Sequence, residues 1–348
     1  MNKQTGVILV GLFLLLLGTI ILSSCIGAVK ISVAELLSII TNNIGITDVA
    51  NFKSQQAAVL LNIRLPRVML GVLIGAGLGV SGAAIQGLFR NPLAEPGLIG
   101  ITSGATLFAV LMIVMEVSVF KKLSGMIGFY ALSLSAFTGA CITAMVVYRL
   151  AHRNGKTDIT TLLLSGIAIN ALAGSLTGLL TYMATDEQLR TITFWSLGSL
   201  GGASWETVTG ILPFILIPVF ALPFLAKSLN ALALGDAQAL HMGIDVVMVK
   251  RIIIILATIA VGASVSVAGT IGFIGLIIPH MLRMIFNADH RLVIPGSALM
   301  GAALLTAADL ISRTIVAPAE LPIGILTALI GTPVFLYIII TERNKSKL

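Results

Sequence analysis

Apolar stretches nearly free of charge, separated by short polar intervals, run the length of the chain. The first six cover Val7–Ala28, Val68–Phe89, Gly97–Met115, Leu123–Tyr148, Ile159–Thr185 and Thr207–Ala226, the last carrying Pro213, Pro218 and Pro223. An uncharged run of 28 residues follows, Ile252–Pro279, too long for one span and interrupted by Gly269, Gly272 and Gly275. It predicts a helix ending near Gly269, a turn, and another helix to about Phe286. Leu292–Ile311, with Asp309 near its end, and Leu321–Thr341 complete the set. About 20 apolar residues cross a bilayer as helix. No segment keeps the period-2 alternation of a strand. The pattern predicts an all-α polytopic membrane protein of about ten transmembrane helices, with residues 1–348 forming one membrane domain.

Composition sharpens this picture. Hydrophobic residues make up 57% of the chain, charged residues 10%, and the mean hydropathy is +1.07, against roughly 25% charge in a soluble domain. The 35 glycines suit helices that pack closely in lipid. The net charge of +7 does not point to nucleic acid, because the basic residues sit at the ends of apolar runs, where they set orientation and meet lipid headgroups. With the N-terminus in the cytoplasm, thirteen Lys and Arg fall inside and eight outside; the positive-inside bias then places both termini in the cytoplasm. The outside set, among them Lys121, Lys122, Arg64, Arg67 and Arg313, is large enough to suggest a function for some members. Leu22-Ser23-Ser24-Cys25 resembles a lipoprotein cleavage box, but a membrane domain follows it, so an uncleaved first helix is expected. Cys25 and Cys141 both lie in apolar runs and define no disulfide framework.

Little in the sequence suggests catalysis. Gly155-Lys156-Thr157 is not a phosphate loop, because Leu150 stands where the motif needs glycine. The four histidines show no metal-ligand spacing. Glu95 and Asp309 fall near helix ends rather than at the midplane positions used by ion-coupled carriers. Gly82 precedes Pro92 by ten residues and Gly269 precedes Pro279 by ten, a faint echo of the inverted repeats of transporters. The longest polar stretch, about residues 227–246, includes a segment from Asp236, a good N-cap, to Gly243, a good C′ residue. A short helix is expected there, with Leu229, Leu232 and Leu240 as its apolar side, serving as a partner-docking element or a surface connector.

Five stretches carry a family resemblance: Asn62-Ile63-Arg64-Leu65-Pro66-Arg67, Gly87-Leu88-Phe89-Arg90-Asn91-Pro92-Leu93-Ala94-Glu95-Pro96-Gly97, Gly272-Phe273-Ile274-Gly275-Leu276-Ile277-Ile278-Pro279-His280, Ala288-Asp289-His290-Arg291 and Glu320-Leu321-Pro322-Ile323-Gly324. In order and spacing the chain resembles the permeases of the iron-complex and cobalamin ABC importers. The resemblance implies ten helices per subunit, a second copy across a central pathway, two cytoplasmic ATPase subunits and an extracytoplasmic substrate-binding protein, in a bacterial inner membrane. It implies no cofactor on this chain, with ATP and Mg held by the ATPase. It gives Arg64, Arg67 and Arg313 to docking of the binding protein, and Leu234, Gly235, Asp236, Leu240, His241 and Gly243 to coupling with the ATPase. Stretches from Gly166 to Arg190 and from Arg313 to Glu320 lean toward the haem-uptake members, with ferric siderophores next and cobalamin third. The competing class is an ion-coupled secondary transporter acting alone.

A ligand of that size needs a wide, weakly binding conduit. The fifth apolar stretch, decorated by Thr160, Thr161, Ser165, Asn170 and Ser175 and by Thr177 and Thr181, is the candidate lining, with a gate near Asp158–Thr161. Small polar residues also pack helices together in lipid.

Overall fold

The computed structural model describes residues 3–46, 51–115, 130–153, 155–286 and 288–345. Helices dominate. In chain order they are α1 (Lys3–Cys25), α2 (Val33–Asn43), α3 (Ser54–Val59), α4 (Leu65–Phe89), α5 (Ile101–Met115), α6 (Ala131–Ala151), α7 (Ile159–Tyr182), α8 (Asp186–Leu197), α9 (Trp205–Ala221), α10 (Ala226–Leu232), α11 (Asp236–His241), α12 (Val246–Ala268), α13 (Ile274–Ile285), α14 (His290–Ser312) and α15 (Ile323–Lys345). Among the described residues, seven helical stretches are long and apolar enough to span a bilayer, and three shorter apolar helices, Ile101–Met115, Ile274–Ile285 and Ile323–Tyr337, accompany them.

Several expectations need adjusting. A π-helical turn, Leu60–Arg64, joins α3 to α4, so this helical stretch starts at Ser54 rather than Val68. The start expected at Leu123, and Lys121 and Lys122 with it, lies outside the described residues. Pro213 and Pro218 do not end α9, and only around Pro223 does the chain tighten into a 3₁₀ turn, Leu222–Leu225. The amphipathic helices α2 and α8 fall in intervals where no helix is expected. Both begin with a capping box, Ser32 with Glu35 and Thr185 with Gln188, which satisfies two otherwise unpaired N–H groups at each start. The one β element among the described residues is a hairpin of two-residue strands, His152–Arg153 and Lys156–Thr157, turned by Gly155.

The core forms around α4. Its glycines let other backbones come within contact of its own. Gly75 packs on Gly301 and Gly79 on Ser297, both of α14, and Gly82 packs on Gly275 of α13. A Cβ at any of the three would run into a backbone carbonyl oxygen. Gly269 ends α12 with φ of 71° and also lies against the carbonyl oxygen of Trp195. The two glycines of the Gly82/Gly269 echo thus both allow a close backbone approach, and Gly269 additionally turns the chain. A second packing group joins α5 to α6 through Gly104 and Gly139, and α7 leans on it where Gly166 meets the carbonyl of Leu98.

Candidate functional site

At one end of the bundle the three arginines expected to dock a partner come together, all turned inward. Arg64 sits in the π-helical turn and is only 4% exposed. Its guanidinium donates to the carbonyl oxygens of Ser24, Cys25 and Val29, tying the end of α1 to the start of α4. Arg67 forks around Asp309 of α14, with Nε to both carboxylate oxygens at 3.0 Å and Nη2 to Oδ1 at 2.9 Å. Its Nη1 donates to Glu320 Oε1 at 2.7 Å. Arg313 follows α14, lies 3.8 Å from Asp309 and donates to the carbonyl and hydroxyl of Ser23. Asp309 is 2% exposed, and a carboxylate that deep is tolerated because its oxygens are paired. Asp309 is thus part of an arginine lock, and it was missed as a partner because no sequence signal links positions 242 residues apart. Glu320 keeps a side-chain exposure of 45%; Arg67 and Arg313 share Asp309 while Arg64 meets only carbonyl oxygens, so within this cluster three cations stand against two carboxylates.

At the far end lies the expected short helix, α11, Asp236–His241. Its cap differs from expectation. Gly235, with φ of 125°, occupies the N-cap, and Asp236 is the first helical residue. The Asp236 carboxylate instead accepts from Lys250 Nζ at 2.6 Å and pairs with Arg90. Arg90 terminates α4 in the left-handed region at φ 50°, and Lys250, 3% exposed, belongs to α12. Lys250 Nζ also reaches the carbonyl of Thr157 at 3.3 Å, beside Asp158, whose carboxylate caps α7 at Thr161 N. Asp236 therefore joins α11 to the ends of α4 and α12 and, through Lys250, to the start of α7. Lys250 and Arg90 were missed, although Lys250 opens, with Arg251, the edge of a long apolar run. Gly243 does end the helix with φ of 80°, as expected, and His241 is exposed. The apolar side also changes: Leu229 and Leu232 belong to α10 and are buried, whereas Leu240 is 62% exposed beside exposed Leu234 and Met242. A cavity of about 450 Å³ nearby is lined by Gln86, Arg90, Asn230, His280, Arg283 and His290, so two of the four histidines share one site.

The third candidate is α7. Only Leu162, Gly166 and Ala173 are buried among its 24 residues. At about 100° per residue, Thr160, Thr161, Ser165 and Ser175 fall within an arc of roughly 140° facing away from those three. Ser165 is half-buried and the other three are exposed. Asn170 departs from this row. It lies next to the buried side, where its amide donates to the Gly97 carbonyl at 3.1 Å and its Oδ1 accepts from Ser103. It anchors α7 to α5 instead of facing outward.

Comparison with known proteins fits this arrangement. The profile of the FecCD transport family matches residues 14–341. The chain is 44% identical over 340 residues to the hemin transport system permease protein HmuU of Yersinia pestis, covering 97% of each. It is 42% identical over 277 residues to the cobalamin import system permease protein BtuC of Halobacterium salinarum, covering 80% of this chain and 72% of that one. A solved structure described as an inward-facing, metal-chelate type ABC transporter superposes with a TM-score of 0.83 at 32% identity, covering 96% of this chain and 99% of that one.

Proposed function

The chain belongs to the FecCD transport family, and on that premise we propose that it is the membrane-spanning permease subunit of a binding-protein-dependent ABC importer that brings an iron complex, haem first among them, into the cytoplasm. The full-length identity to a hemin permease carries this reading. Ferric siderophores come next, and the likeness to a cobalamin permease keeps cobalamin as the second reading. The chain has ten spans in this proposal, the three shorter apolar helices joining the seven long ones. It works in the inner membrane with both termini in the cytoplasm, paired with a second copy. The partner ATPase subunits bind ATP and Mg, and this chain performs no catalysis.

The arginine end faces the binding protein. Its excess positive charge suits acidic side chains on that protein, charge pairing of a kind that sets register and encounter rate as much as affinity. Arg67 reaches such a partner once the exposed Glu320 swings aside. The α11 end faces the ATPase. Exposed Leu234, Leu240 and Met242 offer a small apolar surface, and the Asp236 clamp makes α11 move with α4 and α12 as one lever when the ATPase pair closes. The exposed arc of α7 faces its copy across the pathway, so Thr160, Thr161, Ser165 and Ser175 line it and Asn170 supports it.

Reconstitution in proteoliposomes with its ATPase and binding protein tests the proposal. ATP-dependent uptake of haem is expected, with no ATPase activity from the purified chain alone. Asp236→Leu should cut uptake about tenfold or more while the binding protein still docks with unchanged affinity. Uptake of cobalamin but not haem would replace the substrate; uptake without any ATPase subunit would overturn the function itself.

A further inference from the structure

One groove plays no part in the path just described. It runs between α6 and α12 on the side of the bundle, a cavity of about 460 Å³, within the roughly 300–1,000 Å³ range of small-molecule sites. Ala144 and Met145 of α6 and Ile254 and Ile255 of α12 form its apolar wall, on rows spaced three and four residues apart that each helix presents to the other. Its mouth is different. Arg149 of α6 and Arg251 of α12 stand there with Tyr148, and Arg251 Nε donates to the Tyr148 hydroxyl at 3.2 Å. Both arginines are exposed, and among the described residues neither forms an ion pair. Asp245 acts on Arg251 only at longer range, since its carboxylate caps α12 at Met248 N. The preceding residue, Lys250, turns inward to Asp236, which puts the mouth at the α11 end of the bundle.

The ligand must therefore be apolar along its length and anionic at one end. We propose that this groove is a binding site for an anionic phospholipid, with an acyl chain along Ala144, Met145, Ile254 and Ile255 and the phosphate at Arg149 and Arg251. Two guanidiniums with no carboxylate in ion-pair contact favour a phosphate that accepts forked hydrogen bonds. Basic pockets between membrane helices at the cytoplasmic surface hold acidic headgroups on this principle. An acidic partner protein is the weaker fit, because it would leave the apolar wall behind the arginines without an occupant. The site is independent of which substrate the chain carries.

Native mass spectrometry on the full chain in detergent, with dioleoyl phosphatidylglycerol or dioleoyl phosphatidylcholine added, tests the assignment. Retention of the anionic lipid should exceed that of the zwitterionic lipid about thirtyfold, from two basic contacts near the headgroup. Arg149→Gln with Arg251→Gln should bring the ratio to about one. Ala144→Phe, which fills the apolar wall and leaves both arginines, should lower retention of the anionic lipid as well. Unchanged helix content and elution volume establish that each variant is folded. Equal retention of the two lipids by the native chain, or an unchanged preference in the arginine variant, overturns the proposal. So does displacement of the lipid by inorganic phosphate alone, or a variant that keeps its lipid but loses co-purification with the ATPase.

Discussion

Helices α4 and α7 are nearly equal in length, both apolar and both rich in small residues, yet they occupy opposite environments. In α4, 21 of 25 residues are buried; in α7, three of 24. Hydropathy cannot separate them, because lipid and protein interior are about equally apolar and the hydrophobic effect does not drive helices together in a bilayer. What separates them is the arrangement of glycine and charge. The glycines of α4 meet backbones on two helices, and Arg67 and Arg90 at its two ends are pinned by Asp309 and Asp236. The outward glycines of α7, Gly174 and Gly178, meet nothing within 4 Å. The α4 helix is a structural axis, whereas α7 keeps a surface available for another molecule.

The sharpest test of that axis is its charge lock. Arg67→Met leaves Asp309 buried beside only the more distant Arg313, and stripping one partner from a buried pair costs about 3–5 kcal/mol. A large fall in the thermal unfolding midpoint in detergent is expected. Arg67→Met combined with Asp309→Leu should recover much of it, since two apolar groups leave no orphaned charge. If the single variant unfolds like the native chain, the lock is not structural and the arginine is held for partner docking alone.

The glycines give the next contrast. Gly82→Ala must push α4 and α13 apart, because the new methyl meets the carbonyl of Gly275; overpacking of this kind costs about 1–3 kcal/mol. Gly178→Ala enters open space in a helix and should be neutral or stabilising, by up to about 1 kcal/mol. Paired melts of the two variants decide the matter, and equal losses would mean that α7 packs within the subunit as tightly as α4 does.

The sequence revealed the apolar segments well and their partners poorly. Charge-poor runs located the membrane helices because hydropathy is a local property. Asp236 to Gly243 was found as a short helix because cap residues act locally too. The Asp236 carboxylate was assigned to that cap, but tertiary partners, Lys250 and Arg90, outcompeted the local N–H groups. Helices α2 and α8 were missed for the opposite reason: they are short and amphipathic, so they leave no charge-free run. Arg64, Arg67 and Arg313 were placed on the outer side by the count of positive charge and given to partner docking by the family resemblance. Their burial depends on Asp309, Glu320 and the carbonyl oxygens at the end of α1, which only the fold brings near. Asn170 looked like the other polar residues of its helix until the helical arc placed it on the side of Ser103 and Gly97.

The smallest expected effects are on the exposed arc of α7, where single substitutions should hardly change stability and only accessibility distinguishes it from the packed side. With Cys25 and Cys141 replaced by alanine, cysteines at 168, 171 and 175 lie on the exposed arc, and those at 162, 169 and 173 on the side packed against the core. In the assembled importer a charged thiol reagent should modify the first three and spare the second, giving a labelled stripe with a period near 3.6 residues. A cysteine at 170 decides between the two readings of Asn170. In a pathway-lining role it should label with the stripe; in the anchoring role, with its amide on the Gly97 carbonyl, it should stay protected and loosen the contact between α7 and α5. The charged reagent also separates water from lipid, since thiolate chemistry needs a hydrated site. Protection of all seven positions would mean that the open arc of α7 faces hydrocarbon, and the pathway would then have to be sought on another helix.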